Sequence, residues 1–207
     1  HKFQLCTVLS LGIQIITLLE KLHSTKYIHR DIKPNNFLIG IGNDNRNIYI
    51  MDFGLSKQYI DMNGKHISLK IDRSLIGTAR YASINMHNGL EPSRRDDLES
   101  VGYMLIYFLK GRLPWQGIKK KVDMNIKKSE KDHLEAIGEK KLCTTLNELC
   151  GDIPICFKKL IQYSRNLKFD EMPDYNYLKS LFISACKDNN IDPIFEWAID
   201  DKLKVSN

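Results

Sequence analysis

From Phe3 to His23 the apolar residues Leu5, Val8, Leu9, Ile15, Ile16, Leu19 and Leu22 recur at steps of three and four, which predicts a helix with one buried stripe. Between 96 and 110, Leu98, Val101, Met104, Leu105, Phe108 and Leu109 stand among few charges, so this helix is expected to be buried round most of its circumference. Tyr177, Leu178, Leu181 and Phe182 form a further helical stripe within 174–186. Phe37-Leu38-Ile39-Gly40 and Ile48-Tyr49-Ile50-Met51 are β-rich runs, and the turn formers Gly42-Asn43-Asp44-Asn45 between them predict a hairpin. Residues 55–76 follow neither period and contain Asn63-Gly64, which reads as a mobile loop, while the lysine-rich stretch 119–141 reads as a polar loop entering a helix. The expected fold class is mainly α with a short β-hairpin, and no repeat or interdomain linker is visible.

Composition adds limits. A chain of 207 residues, 43% apolar and 27% charged, is long enough for one well-filled domain. No apolar run is expected to cross a bilayer, and His1-Lys2-Phe3-Gln4 does not resemble a leader, so a cytoplasmic or nuclear location is expected. Cys6, Cys143, Cys150, Cys156 and Cys186 are odd in number and form no C-x-x-C pair, which argues against a disulfide framework or zinc. The net charge of +6 favours acidic or phosphorylated peptides, nucleic acid or an anionic surface as partners. Nucleic acid is the weakest of these, because no aromatic residue is interleaved with the lysines of 119–141.

The chemistry concentrates in His29-Arg30-Asp31-Ile32-Lys33-Pro34-Asn35-Asn36, in Asp52-Phe53-Gly54 at the end of the second predicted strand, and in Gly77-Thr78 beyond the loop. A lone Asp, Asn or Lys in a loop is usually a turn former or a solvated charge. In this order, however, the three groups resemble the catalytic apparatus of protein kinases, which use ATP and Mg2+. Asp31 would accept the hydrogen bond of an attacking hydroxyl; an ordinary carboxylate pKa near 4 makes it an orienting group more than a strong base. Lys33 would set an ammonium against the transferred phosphate, and Asn36 and Asp52 offer hard oxygens suited to magnesium. Thr78 would tie its loop to Asp31 and Lys33, and His29 is assigned to packing.

Further runs narrow the resemblance. Gly77-Thr78-Ala79-Arg80-Tyr81-Ala82-Ser83-Ile84-Asn85 stands where most kinases have A-P-E. Ser93-Arg94-Arg95-Asp96-Asp97-Leu98-Glu99-Ser100, Leu113-Pro114-Trp115-Gln116-Gly117, Pro173-Asp174-Tyr175 and Phe195-Glu196-Trp197 follow. Over nearly its whole length the chain resembles the casein kinase I family of serine/threonine protein kinases. The resemblance implies that Asp97 braces the catalytic loop, that Leu38 and Met51 floor the adenine pocket, and that Lys33 with Pro34 goes with serine/threonine specificity. It also implies an anion pocket for acidic or prephosphorylated protein substrates, built from Arg80, Gly117 and a lysine, for which Lys128 and Lys131 are the candidates; a solvated face is the alternative role for such lysines. Arg30 commonly pairs with a phosphorylated loop residue in kinases, yet the resemblance implies a family active without it.

No G-x-G-x-x-G is present. Gly40-Ile41-Gly42 is the nearest approach, but it follows the catalytic loop, and Asn45 stands at the last glycine position. Residues 1–207 are therefore expected to form a kinase-like C-terminal lobe with the N-terminal lobe absent. Such a chain is either the large lobe of an active enzyme or a kinase-derived module that binds acidic or phosphorylated segments without catalysis.

Overall fold

The long helix α1 (Leu5–Ser24) runs through the core, with Val8, Leu9, Ile15, Ile16 and Leu19 fully buried. The structure, a computed structural model, describes residues 2–118 and 126–198, without the side chains of 126–129. Two helices cover α1, namely α3 (Arg94–Lys110) and α7 (Tyr175–Asp188). At the α7 contact a Cβ on Gly12 would stand 2.6 Å from the Phe182 ring, so the missing side chain lets the two helices close. By length and apolarity α1 would also suffice to cross a bilayer, its mean hydropathy being 1.6, which corrects the expectation that no run reaches that length. Here α3 and α7 take its apolar faces, the arrangement of a core helix.

The near-complete burial predicted for α3 is observed: Leu98, Val101, Tyr103, Met104, Leu105 and Ile106 are all inaccessible. Its far side packs on α6 (Ile155–Asn166) through Phe157, Leu160 and Ile161, a helix the sequence reading left unassigned. The helix starts at Arg94, two residues earlier than expected, because the Asp96 carboxylate reaches back to accept from the Ser93 N–H at 2.7 Å. It stops at Gly111, whose φ of 74° is the left-handed conformation a helix end requires.

The predicted hairpin is present as β2 (Phe37–Ile39) and β3 (Ile48–Ile50), antiparallel, with Phe37 opposite Ile50. The loop expected over 55–76 is not wholly irregular: β4 (Lys57–Gln58) pairs with β1 (Tyr27–Ile28), and Ile60 bridges to His66. Three more α-helices are present, α2 (Ile84–His87), α4 (Ile126–Cys143) and α5 (Leu146–Cys150), with single 3-10 turns at Pro34–Asn36 and Gly42–Asp44. The five cysteines are free thiols.

Phe182 is fully buried between Gly12 and Phe157, whose ring centroid lies 5.4 Å away. Phe182→Ala is expected to cost about 3–5 kcal/mol of unfolding free energy, whereas Leu142→Ala on the exposed side of α4 should cost under about 0.5 kcal/mol; urea titration followed by circular dichroism measures both.

Candidate active site

Asp97 lies on the first turn of α3 and is 2% exposed. Its Oδ2 accepts from the His29 N–H at 2.7 Å and pairs with His23 Nε2 at 2.9 Å, and its Oδ1 accepts from the Arg30 N–H at 2.8 Å. Arg30 has φ of 69°, a left-handed conformation that aims two successive N–H groups at one carboxylate. Burial alone would raise the Asp97 pKa, but His23 and these N–H groups outweigh it and hold the carboxyl below its ordinary range. Adjacent Asp96 faces other donors. Ser83 Oγ reaches its Oδ1 at 2.6 Å, with Asn85 Nδ2 at 3.2 Å, and here burial wins, pushing the carboxyl up to about 6.

Within the loop so held, Asp31 is 6% exposed and both carboxylate oxygens are engaged. Oδ1 accepts from the Thr78 N–H at 3.0 Å and the Thr78 hydroxyl at 2.9 Å, and Oδ2 accepts from Lys33 Nζ at 2.5 Å. Asn36 Nδ2 donates to the Asp31 carbonyl at 2.8 Å. Gly77 allows Thr78 this close: a Cβ there would meet the Arg30 carbonyl at 2.6 Å, and its φ of 78° disfavours any side chain. Burial pushes the Asp31 carboxyl up, but the bonds from Lys33 and Thr78 prevail and place it below the ordinary carboxylate value. Asp31 is thus a charged acceptor at neutral pH, tied on one side to a cation and on the other to a hydroxyl.

The hairpin brings Asp52 to this loop. The Met51 N–H donates to the Asn36 carbonyl at 2.9 Å, and His29 Nε2 meets the Met51 carbonyl at 3.0 Å, the structural role expected of that histidine. Asp52 is exposed, with φ of 62°, so Arg30 and Asp52 both hold the left-handed backbone that functional loops concentrate. The Asn36 side chain spends its amide nitrogen on Asp31, and its Oδ1 is the acceptor that remains for a cation. One amide oxygen and one carboxylate form a hard donor set that fits magnesium. No group of three His, Cys, Asp or Glu suited to a metal occurs among the described residues, so phosphate oxygens and water would have to complete the shell.

A family model of the protein kinase domain matches residues 2–171. The chain belongs to the protein kinase family. Kinases of this family transfer phosphate to proteins, with ATP and Mg2+ as the usual donor and metal. In this kinase domain Asn36 and Asp52 are the residues that would hold the ion, which when bound neutralises phosphate charge. Leu38 and Met51, the expected adenine floor, lie on the hairpin and are 52% and 39% exposed.

A cleft of about 410 Å³ opens beside Asp31, lined by Lys33, Thr78, Arg80, Gln116, Gly117 and His133. Arg80 and Gly117, two residues of the expected anion pocket, line this one cleft. Lys131 is not among the lining residues: it is 78% exposed and pairs with Glu135 at 3.7 Å, while the Lys128 side chain lies outside the described residues. Three groups that the sequence reading passed over support this kinase site. Lys141 is fully buried, donating to the carbonyls of Ala79 at 2.7 Å and Ala82 at 2.5 Å, with its ammonium 5.0 Å from the ring centres of Tyr103 and Trp115. Glu91, 1% exposed, pairs with Lys57 at 2.7 Å and Arg73 at 3.4 Å. His23, unremarkable in sequence, completes the Asp97 network and meets the Tyr175 hydroxyl at 2.6 Å.

The opposite shifts of Asp96 and Asp97 give opposite pH effects. The depressed Asp97 contributes stability above its unfolded pKa, near 4, that is lost as pH falls through its folded value; the raised Asp96 contributes stability below about 4 that is lost as pH rises through about 6. Denaturant unfolding should therefore show that Asp97→Asn costs more at about pH 7 than at about pH 4, and that Asp96→Asn costs less. The same pH trend for both variants would refute the assignment.

Proposed function

We propose that this kinase domain is the large lobe of a serine/threonine protein kinase of casein kinase I type, which transfers the γ-phosphate of ATP to acidic or prephosphorylated protein substrates. The observation that carries the reading is the convergence of Lys33 and Thr78 on the two oxygens of Asp31, beside a hairpin that delivers Asp52 to Asn36. A hydroxyl arriving between Thr78 and Lys33 finds Asp31 as a charged acceptor, which orients it and takes its proton late; a carboxyl held below its ordinary range is a poor early base. Lys33, tied to that carboxylate at 2.5 Å, sets an ammonium where transferred phosphate accumulates charge.

The finer family assignment rests on the stretch after Thr78. In place of A-P-E, Ser83 and Asn85 hydrogen-bond to Asp96, which explains why this segment holds its course without the glutamate of other kinases. The preference for acidic substrates rests on the cleft in which Arg80 and Gly117 meet. The activity requires cover for the nucleotide. Leu38, Met51 and Phe53, the last 49% exposed, present an apolar face on the side of the hairpin and of Asp52, and a small lobe seated there would roof the adenine.

The test joins a small lobe to this chain and measures phosphate transfer from radiolabelled ATP to an acidic serine peptide. Transfer is expected, with Asp31→Asn lowering kcat by about a thousandfold or more, given the 10²–10⁴ that a positioned acid–base group contributes. An active fusion that is indifferent to Asp31→Asn would contradict the reading.

A further inference from the structure

The segment Phe195-Glu196-Trp197 lies beyond the kinase-domain match at 2–171, yet it is fastened back onto the lobe at several points. The Glu196 N–H donates to Thr7 Oγ1 at 2.9 Å, and Glu196 Oε2 accepts from the Gln4 N–H at 2.8 Å, which ties the segment to the start of α1. Phe195 is 3% exposed, and its ring stacks on that of Trp197 with the centroids 4.6 Å apart. Trp197 meets Phe3 edge to face at 5.7 Å and donates its indole N–H to the Asn45 carbonyl at 2.8 Å. Asn45 belongs to the tip of the β2–β3 hairpin, whose other end delivers Asp52 to the catalytic loop.

That tip is braced against both strands. The Asp44 carboxylate accepts from the Tyr49 hydroxyl and the Asn47 amide, and the Gly40 N–H donates to the Asn47 carbonyl at 3.0 Å. A second tie comes from α1, where Gln14 Nε2 donates to the Arg46 carbonyl at 2.7 Å and Gln14 Oε1 accepts from the Ile48 N–H at 3.0 Å. Between α1 and the hairpin lies a cavity of about 150 Å³ with an apolar lining that includes Phe3, Leu11, Phe37, Ile39, Phe108 and Trp197. Interiors seldom leave such a void, and here it gives the hairpin room to lean. Polar ties at the tip therefore set where the hairpin stands, because packing beneath it does not.

We propose that Trp197 is a positioning residue for the metal side of the kinase site, holding the hairpin so that Asp52 reaches the catalytic loop beside Asn36. The proposal rests on the reading of Asn36 and Asp52 as the pair that holds the ion. The path is short: it runs from Asn45 along β3 (Ile48–Ile50) to Met51, whose N–H reaches the Asn36 carbonyl at 2.9 Å. Without the indole N–H the tip loses one of its ties, and the hairpin leans into the cavity and carries Asp52 away from Asn36.

Manganese is the probe, since the oxygen ligands that suit magnesium suit it too and its unpaired electrons broaden nearby resonances. Mn2+ alone is titrated into the 207-residue chain, wild type and Trp197→Phe, and followed by broadening at the Asn36 and Asp52 resonances. Phenylalanine keeps an aromatic ring against Phe195 and removes the N–H donor. Mn2+ is expected to bind about three- to tenfold more weakly to Trp197→Phe, and the Met51 amide to exchange faster by a similar factor, the worth of one hydrogen bond. The Leu105 amide in the core of α3 should not change. Gln14→Met, which removes the other tie, should act in the same direction. Unchanged Mn2+ affinity in Trp197→Phe, or an acceleration shared equally by Met51 and Leu105, would overturn the role of Trp197 and leave the metal pair standing. No broadening at Asn36 or Asp52 in the wild type would overturn the metal pair itself, and Met51 exchange would then decide whether Trp197 holds the hairpin.

Discussion

A single buried carboxylate sets the catalytic geometry. Asp97 accepts from two successive backbone N–H groups and pairs with a histidine, and together these connect the first turn of α3, the last turn of α1 and the loop of His29 and Arg30. A charge removed from water is costly unless donors surround it, and here three do; losing one side of a buried pair usually costs about 3–5 kcal/mol. The site gains in rigidity. Because Asp97 stands on the longest-buried helix of the core, the loop inherits the immobility of α3 packed between α1 and α6. The helix N-terminus adds its own preference for negative charge.

Asp96 extends the same device to a second segment. One residue before Asp97, it receives Ser83, Asn85 and the Ser93 N–H, so adjacent side chains of one helical turn anchor the stretches on either side of Thr78. Lys141 closes the arrangement from below by donating to the carbonyls of Ala79 and Ala82, and Trp115 donates to the Arg80 carbonyl at 2.7 Å. Between these anchors Thr78 meets Asp31 through its N–H and its hydroxyl. Glu91 contributes there too: its buried carboxylate gathers Lys57 and Arg73, cations that would otherwise repel one another.

Much of this was legible in the sequence, and what was not has physical reasons. The helices α1, α3 and α7 and the β2–β3 hairpin each bury a face, so burial leaves a period that can be read along the chain. That Asp31, Lys33 and Asn36 share one loop and that the hairpin returns the chain to it at Asp52 was legible because their order is specific. The β1–β4 pair was not, since strands of two residues have no period. Helix α6 does carry the spacing Phe157, Leu160, Ile161, but Lys158 and Lys159 interrupt it over a short length. Lys141 looked like one more solvated lysine of a basic tract; its burial is decided by carbonyls about sixty residues earlier and by the rings of Tyr103 and Trp115. His133 likewise belongs to the cleft only because α4 crosses the Arg80 segment, which no local pattern encodes.

The central claim is that Asp97, and not the loop's own sequence, holds the catalytic loop in place. Amide hydrogen exchange of His29 and Arg30, referred to Met104 and Leu105 in the core of α3, measures this directly in the wild type and in Asp97→Ala. The account predicts that the two loop amides exchange at least about a hundredfold faster in the variant after any change at the core amides is divided out, as the loss of hydrogen bonds to a charged acceptor requires. Equal acceleration at loop and core, or none at the loop, would contradict it.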